Sequence, residues 1–277
     1  MAGVSSARST LRRPRRLGVW ALRVAVMVVV LGGWELSSDI GFIDPFFFGQ
    51  PSRIAAQIVT WAANGTATGP LWVQIGVTLE ETVLGFAVGV VLGVVLGVAL
   101  GVNRLLADVF GPYIRVANSI PRVVLAPIFI IWLGLGLPSK VATSVVLVFF
   151  IVFYNAFQGV REVPRELIWN ARILGATRTQ LTWHVVVPSA LTWIIASMHV
   201  SFGFAIVGAV VGELLGSTQG LGNMIAVAQG VFNPNGVFAA MFILAVVALV
   251  AETLVTALEH RLIRWRPAAL AEAAMGL

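Results

Sequence analysis

Few residues in this chain could do chemistry, and those that could are spaced for gripping rather than for catalysis. Arg161, Arg165, Arg172 and Arg178 stand in one polar stretch, 161–188, between two long apolar runs, accompanied by Glu166, Trp169 and Asn170. No apolar run holds paired carboxylates for acid–base work, a Ser–Lys couple or a His–Glu metal cluster. His184, His199 and His260 are scattered and form no metal constellation. The only lysine, Lys140, follows Ser139 and closes no G-x-x-x-x-G-K phosphate loop, so the chain is not expected to hydrolyse ATP itself. The absence of cysteine removes disulfides and thiolate metal sites together.

Two short helices are expected to carry the arginines. Pro164 suits a first helical turn, and Gly175 suits the left-handed position just past a helix end. At about 100° per residue, Leu167, Ile168, Ala171 and Leu174 fall on one side, with Arg165, Trp169 and Arg172 on the other. Thr177 followed by Gln180 is a capping-box pattern that starts a second helix, which runs towards Val187. Pro188 then begins the next apolar run. The result is an elbow at Gly175 and Ala176, apolar on one face and presenting Arg and Trp on the other.

The rest of the chain belongs in a membrane. Residues are 58% hydrophobic and 11% charged, against about 25% charged in a usual soluble domain, and the mean hydropathy is +0.94. Uncharged apolar runs long enough to cross a bilayer occur at 82–102, 141–160 and 189–211. Six spans are expected, at 17–37, 73–102, 121–137, 141–160, 189–211 and 237–260, making an all-α membrane protein. Arginines crowd the 1–16 tail, the 103–122 connector, the 161–188 island and the segment ending at Arg266. The positive-inside rule puts all of these, and both termini, in the cytoplasm. No cleavage pattern follows Trp34, which suits a retained first helix. The division is then a 1–16 tail, a 17–266 membrane domain and a 267–277 tail. The basic balance follows the membrane and does not point to nucleic acid.

Within this frame several local patterns stand out. Gln50-Pro51-Ser52 looks like the start of a helix that lies at the interface with Trp61 at headgroup depth, or on an ordinary surface. Gly85, Gly89, Gly93, Gly97 and Gly101 recur every fourth residue, a stripe for close helix packing that either slides or is static. It drifts about 40° per step, so one straight neighbour would meet two or three of them. Glu80 and Glu81 are expected within reach of water. Pro127 suits either a span lining a pathway or a kinked helix. Ser197 and Ser201 share a face, His199 points about 160° away, and Glu252 has no evident partner at its depth. Glu213 is a candidate to anchor a turn, and Asn233-Pro234-Asn235-Gly236 reads as a turn.

The spacing Trp169-Asn170-Ala171, three residues, Gly175, nine residues, Val185, one residue, Val187-Pro188 resembles the EAA loop of ABC importer permeases. Trp169 stands where that loop has Glu, with Glu166 a turn earlier as a substitute. Ser119-Ile120-Pro121-Arg122, Trp132 and the Gly-rich turn before Pro138 are similar to the nitrate, sulfonate and taurine permeases, as is Glu213-Leu-Leu-Gly with its later Gly-Leu-Gly. The resemblance implies the type I importer fold in a bacterial inner membrane. It implies two cytoplasmic ATPase subunits that bind the ATP and magnesium, an extracytoplasmic solute-binding protein, and a second permease copy as homodimer partner. The ATPase would dock on Arg165, Glu166, Trp169, Asn170, Ala171, Arg172, Gly175, Ala176, Arg178 and Pro188. Pro127, Ser197, Ser201 and Glu213 are the candidates for the path of a small anionic solute. A secondary transporter or channel working without an ATPase is the competing reading.

Overall fold

The computed structural model describes residues 13–262, and among them the chain is almost wholly helical. In chain order come α1 (Arg13–Asp39), α2 (Pro45–Phe48), α3 (Pro51–Asn64), α4 (Leu71–Val102) and α5 (Arg104–Ser119). A 3-10 turn, Arg122–Leu125, leads into α6 (Ala126–Leu133), then α7 (Leu137–Arg161), α8 (Arg165–Ile173) and α9 (Arg178–Leu181). A π turn, Thr182–Val186, joins α9 to α10 (Val187–Gly216), followed by α11 (Leu221–Gly230) and α12 (Pro234–Leu262). Among the described residues, five helices are long and apolar enough to cross a membrane, or six if the pair bent by 84° at Ile120–Pro121 counts as one span. Residues 1–12 and 263–277 lie outside the described residues, while Arg13, Arg15 and Arg16 of the expected N-terminal tail fall at the start of α1.

The third span departs from expectation. It is a bent pair, because α6 alone has 8 residues and spans only about 12 Å. Pro127 sits in the first turn of α6, where a missing N–H costs nothing, so it starts a helix rather than kinking one. The connector before it is itself helical. Asn103 caps α5 by accepting from Leu105 N–H (3.1 Å) and Leu106 N–H (3.3 Å).

The glycine stripe meets a single neighbour along its whole length. A Cβ at Gly89 would stand 2.7 Å from Val148 Cβ, at Gly93 2.9 Å from Val152 Cβ, at Gly97 2.6 Å from the Phe153 carbonyl, and at Gly101 2.9 Å from Val160 Cβ. Gly85 likewise closes on Ser144. All five therefore face α7, not the two or three expected of a straight neighbour. The contact row on α7 also steps by four, so both rows drift together, and a step longer than 3.6 residues makes two helices wrap in the right-handed sense.

α7 is enclosed between α4 and α10. Ser144 donates to the Ala205 carbonyl at 2.9 Å. A Cβ at Gly208 would meet Ser144 backbone N at 2.8 Å, and one at Gly159 would meet Trp193 Cβ at 2.9 Å. α1 buries none of its apolar window and leans on α3 only at one end, where Glu35 accepts from Gln50 Nε2 and Ser52 Oγ, both at 2.7 Å.

At the end away from the island Trp61 packs with Ile58 onto Leu221, Met224, Ile225, Ala240 and Ile243. One local expectation is corrected there. Asn233-Pro234 starts α12 rather than making a free turn. Asn233 Oδ1 accepts from Gly236 N–H at 3.0 Å, so the Asn caps and the Pro occupies the first turn.

Candidate functional site

The island folds into a ledge with a defined elbow. α8 ends in a Schellman closure: Gly175 has φ +82°, its N–H donates to the Arg172 carbonyl at 3.0 Å, and Ala176 N–H donates to the Ala171 carbonyl at 3.0 Å. α9 then opens with the capping box, Gln180 N–H donating to Thr177 Oγ1 (3.3 Å) and Thr177 N–H to Gln180 Oε1 (2.9 Å). Arg178 lies in this short helix.

Pro188 does not break the chain into a second span. α9 passes through the π turn into α10 without interruption, Val187 N–H donating to the Thr182 carbonyl five residues back. A proline inside an α-helix lacks one N–H and crowds the carbonyl four residues earlier. Widening the turn ahead of Pro188 relieves that crowding. The second arm of the elbow, α9, is thus continuous with α10.

The apolar face is narrower than the projection suggests. Ile168 packs with Leu181 and Val185 onto Val160, Val163, Val186, Ala190 and Ile194. Ala171 is half-buried, but Leu167 is exposed and Leu174 is 87% exposed, beside Ile173 at 83%. Arg165, Glu166, Trp169, Asn170 and Arg172 are exposed as well. Between the arms lies an open groove of about 450 Å³ lined by Ala171, Leu174, Gly175, Ala176, Gln180, His184 and Val185. Apolar and basic side chains are thus exposed together beside this groove.

The family model described as the binding-protein-dependent transport system inner membrane component matches residues 89–264. The chain belongs to that family. It is 36% identical over 239 residues to a riboflavin transport system permease protein of Chloroflexus aurantiacus, covering 86% of this chain and 88% of the relative. It is 29% identical over 252 residues to a putative aliphatic sulfonates transport permease protein of Bacillus subtilis, covering 89% and 88%. A methionine ABC transporter solved in inward-facing conformations shares the fold at TM-score 0.59 and 21% identity, covering 70% of this chain and 94% of that one. The chain is a permease subunit, an inner membrane component with the type I importer fold.

At the end opposite the ledge the permease carries a buried polar clamp. Glu213, at the end of α10, and Gln74 and Thr78, on α4, together hold the start of α11. Gly220 N–H donates to Gln74 Oε1 (2.7 Å), Leu221 N–H to Thr78 Oγ1 (2.9 Å) and Gly222 N–H to Glu213 Oε2 (2.6 Å). Thr78 in turn donates to Glu213 Oε1 at 2.7 Å. Three of the N–H groups that a helix start leaves without partners are thereby satisfied. Gly220, at φ +101°, and Gly222 leave no room for a Cβ, the latter because it would stand 2.6 Å from the Val210 carbonyl. Glu213 does anchor a turn. Glu213→Gln places an N–H donor where the carboxylate now accepts on both oxygens. It is expected to cost about 1–3 kcal/mol, seen as a lower melting temperature in detergent with Glu213→Asp less affected; unchanged melting would contradict the clamp.

Glu81 and Lys140 complete this region. Glu81 is buried at 2% exposure instead of meeting water, while Glu80 remains exposed. Lys140 is 1% exposed, its ammonium donating to the Leu135 carbonyl and its stem packed on Gly212. The sequence reading missed Gln74, Thr78 and Lys140. A signal was present: Gln74, Thr78 and Thr82 are themselves spaced by four, and Glu81 stands four residues before Gly85.

The candidate path residues do not form one group. Ser197 and Ser201 are enclosed in the bundle and donate to the Ile194 and Ser197 carbonyls, each at 2.6 Å. Glu213 lies about 18 Å farther along α10 than Ser201, and Pro127 is exposed at the start of α6. Glu252 does have a partner, His199 on α10, at 3.2 Å. Helix periodicity carries no information about which residue of another helix comes alongside.

Proposed function

We propose that the 161–188 ledge is the surface through which a cytoplasmic ATPase drives this permease. The observation that supports it most is the unbroken passage from the Thr177 capping box through the π turn into α10. A displacement of the ledge enters the bundle without an intervening joint. In this reading the ledge and both termini lie in the cytoplasm, as the arginine distribution requires. Two ATP-binding subunits supply ATP and magnesium. A second copy of the chain completes the path, and a solute-binding protein delivers cargo at the clamp end. The cargo we propose is a small anion of the nitrate, sulfonate or taurine kind, with a flavin the competing cargo suggested by the name of the riboflavin permease. Ligand binding by the solute-binding protein that co-purifies with the permease separates the two.

The docking role is tested on the exposed apolar tip of α8. A double variant, Ile173→Asp with Leu174→Asp, is expected to weaken capture of the ATPase subunits roughly tenfold, equivalent to about 1.4 kcal/mol. Both side chains project away from the bundle, so the permease itself is expected to remain folded and monodisperse. ATPase subunits that co-purify as before would remove the ledge from this role.

A further inference from the structure

The His199–Glu252 pair belongs to neither the ledge, the clamp nor the glycine seam. His199 Nε2 stands 3.2 Å from Glu252 Oε1, and His199 Nδ1 is 3.4 Å from the Thr256 hydroxyl. The two side chains are 44% and 50% exposed. His199 lies about 18 Å from the start of α10 and Glu252 about 27 Å from the start of α12, inside both helices and away from their ends. An ionised group turned to acyl chains at that depth costs on the order of 3 kcal/mol on insertion scales, and such groups face a bundle interior or a water-filled space instead.

The surroundings of the pair are sided. On α12, Thr256 lies about 40° from Glu252, whereas Leu254 lies about 160° away on the opposite flank. Leu254 and its neighbour Val250 are exposed apolar residues suited to lipid. On α10, His199 points away from the enclosed Ser197 and Ser201. Thr192, Ala196, His199 and Gly203 form one exposed row, flanked by exposed Val200 and Val207, and a Cβ at Gly203 would meet nothing within 4 Å. On α12 the pair and the exposed apolar residues lie on opposite flanks, and on α10 a small, polar row runs beside an exposed apolar flank.

We propose that this α10–α12 face lines the aqueous path of the transported solute. His199 and Glu252 act there as a paired donor and acceptor for a polar solute. The inference rests on the transport reading and goes further by placing the path. A tight contact with a second copy fits less well, because charged side chains are depleted from interface cores. A hydrated path leaves both groups solvated, with Glu252 Oε1 engaged by His199 Nε2 at 3.2 Å.

The chain has no cysteine, so single cysteines report one position each. His199→Cys, Gly203→Cys and Leu254→Cys are to be compared in the complete transporter, reconstituted in liposomes, using a charged, membrane-impermeant methanethiosulfonate reagent. Only a hydrated thiol ionises and reacts, so the first two are expected to label roughly 100-fold faster than Leu254→Cys. Their rates are expected to change roughly fivefold when a non-hydrolysable ATP analogue shifts the conformational population. Gly203→Cys tests the wall even if loss of His199 disturbs the helix pair. Slow labelling at all three positions means that this face meets lipid and overturns the proposal. Disulfide cross-linking between two copies, with labelling blocked in every nucleotide state, means a dimer contact and also overturns it. Fast labelling that nucleotide leaves unchanged would keep the aqueous wall but count against ATP-driven transport.

Discussion

Gly97→Val is expected to prevent α4 from closing on α7 and to leave the permease unable to survive mild heating in detergent. A Cβ at Gly97 would stand 2.6 Å from the Phe153 carbonyl, 2.8 Å from Ala156 Cβ and 3.2 Å from the Phe157 backbone nitrogen. Two of these three atoms are backbone and cannot rotate away. The helices must separate, and the other glycines of the seam then lose their close approach as well. Overpacking a fitted site costs about 1–3 kcal/mol, occasionally more, and the upper end is expected here because a whole seam opens. Gly76→Ala supplies the contrast within the same helix. Nothing lies within 4 Å of a Cβ there, so relief of glycine's backbone freedom should leave stability unchanged or raised by about 0.5–1 kcal/mol. Thermal melts of the two variants side by side decide the matter. Equal melting temperatures would mean that the seam does not hold the bundle together.

Gly175→Val is expected to abolish coupled uptake while leaving the membrane bundle intact. The position has φ +82° and nothing within 4 Å of a Cβ, so the substitution causes no clash and acts through the backbone alone. A left-handed conformation costs an L-residue about 1–2 kcal/mol, and a β-branched one sits at the costly end. That shifts the elbow away from its native geometry by roughly tenfold in population. The second arm is continuous with α10, so the error is carried into the bundle. ATP hydrolysis and solute uptake measured together in proteoliposomes should separate, or the ATPase should fail to bind. Gly175→Asn is expected to restore much of the loss, because Asn tolerates this region. Full coupling in Gly175→Val would end the elbow's assigned role.

These two variants act at different points of one mechanical line. α10 has 30 residues, about 45 Å of helix. It begins at the ledge and ends at Glu213 in the clamp. Between those points it packs on α7, which packs on α4 along the glycine seam. The clamp returns to α4 through Thr78 and Gln74, so α4 and α10 are joined again at the far end. The ion pair Arg161–Asp108, at 3.7 Å, ties the end of α7 to α5 beside the ledge. Both of its partners are exposed, so it contributes little to stability.

Much of this was legible in the residues themselves. Apolar run length set the spans, since a bilayer demands about 20 apolar residues per crossing helix. Gly175, Thr177 and Gln180 marked the elbow, because helix ends are settled by hydrogen bonds among residues a few positions apart. For the same local reason Pro51 marked the start of α3. Pairings between distant residues were decided only by the fold. Which neighbour meets the five glycines depends on how two helices wrap. Whether Glu81 meets water depends on what α10 and α11 bring over it, and Glu252 found His199 because α12 crosses the back of α10. Periodicity assigns a side chain its direction around its own axis, while the register and rotation of separate helices follow from summed packing across the bundle, which no short stretch of sequence contains.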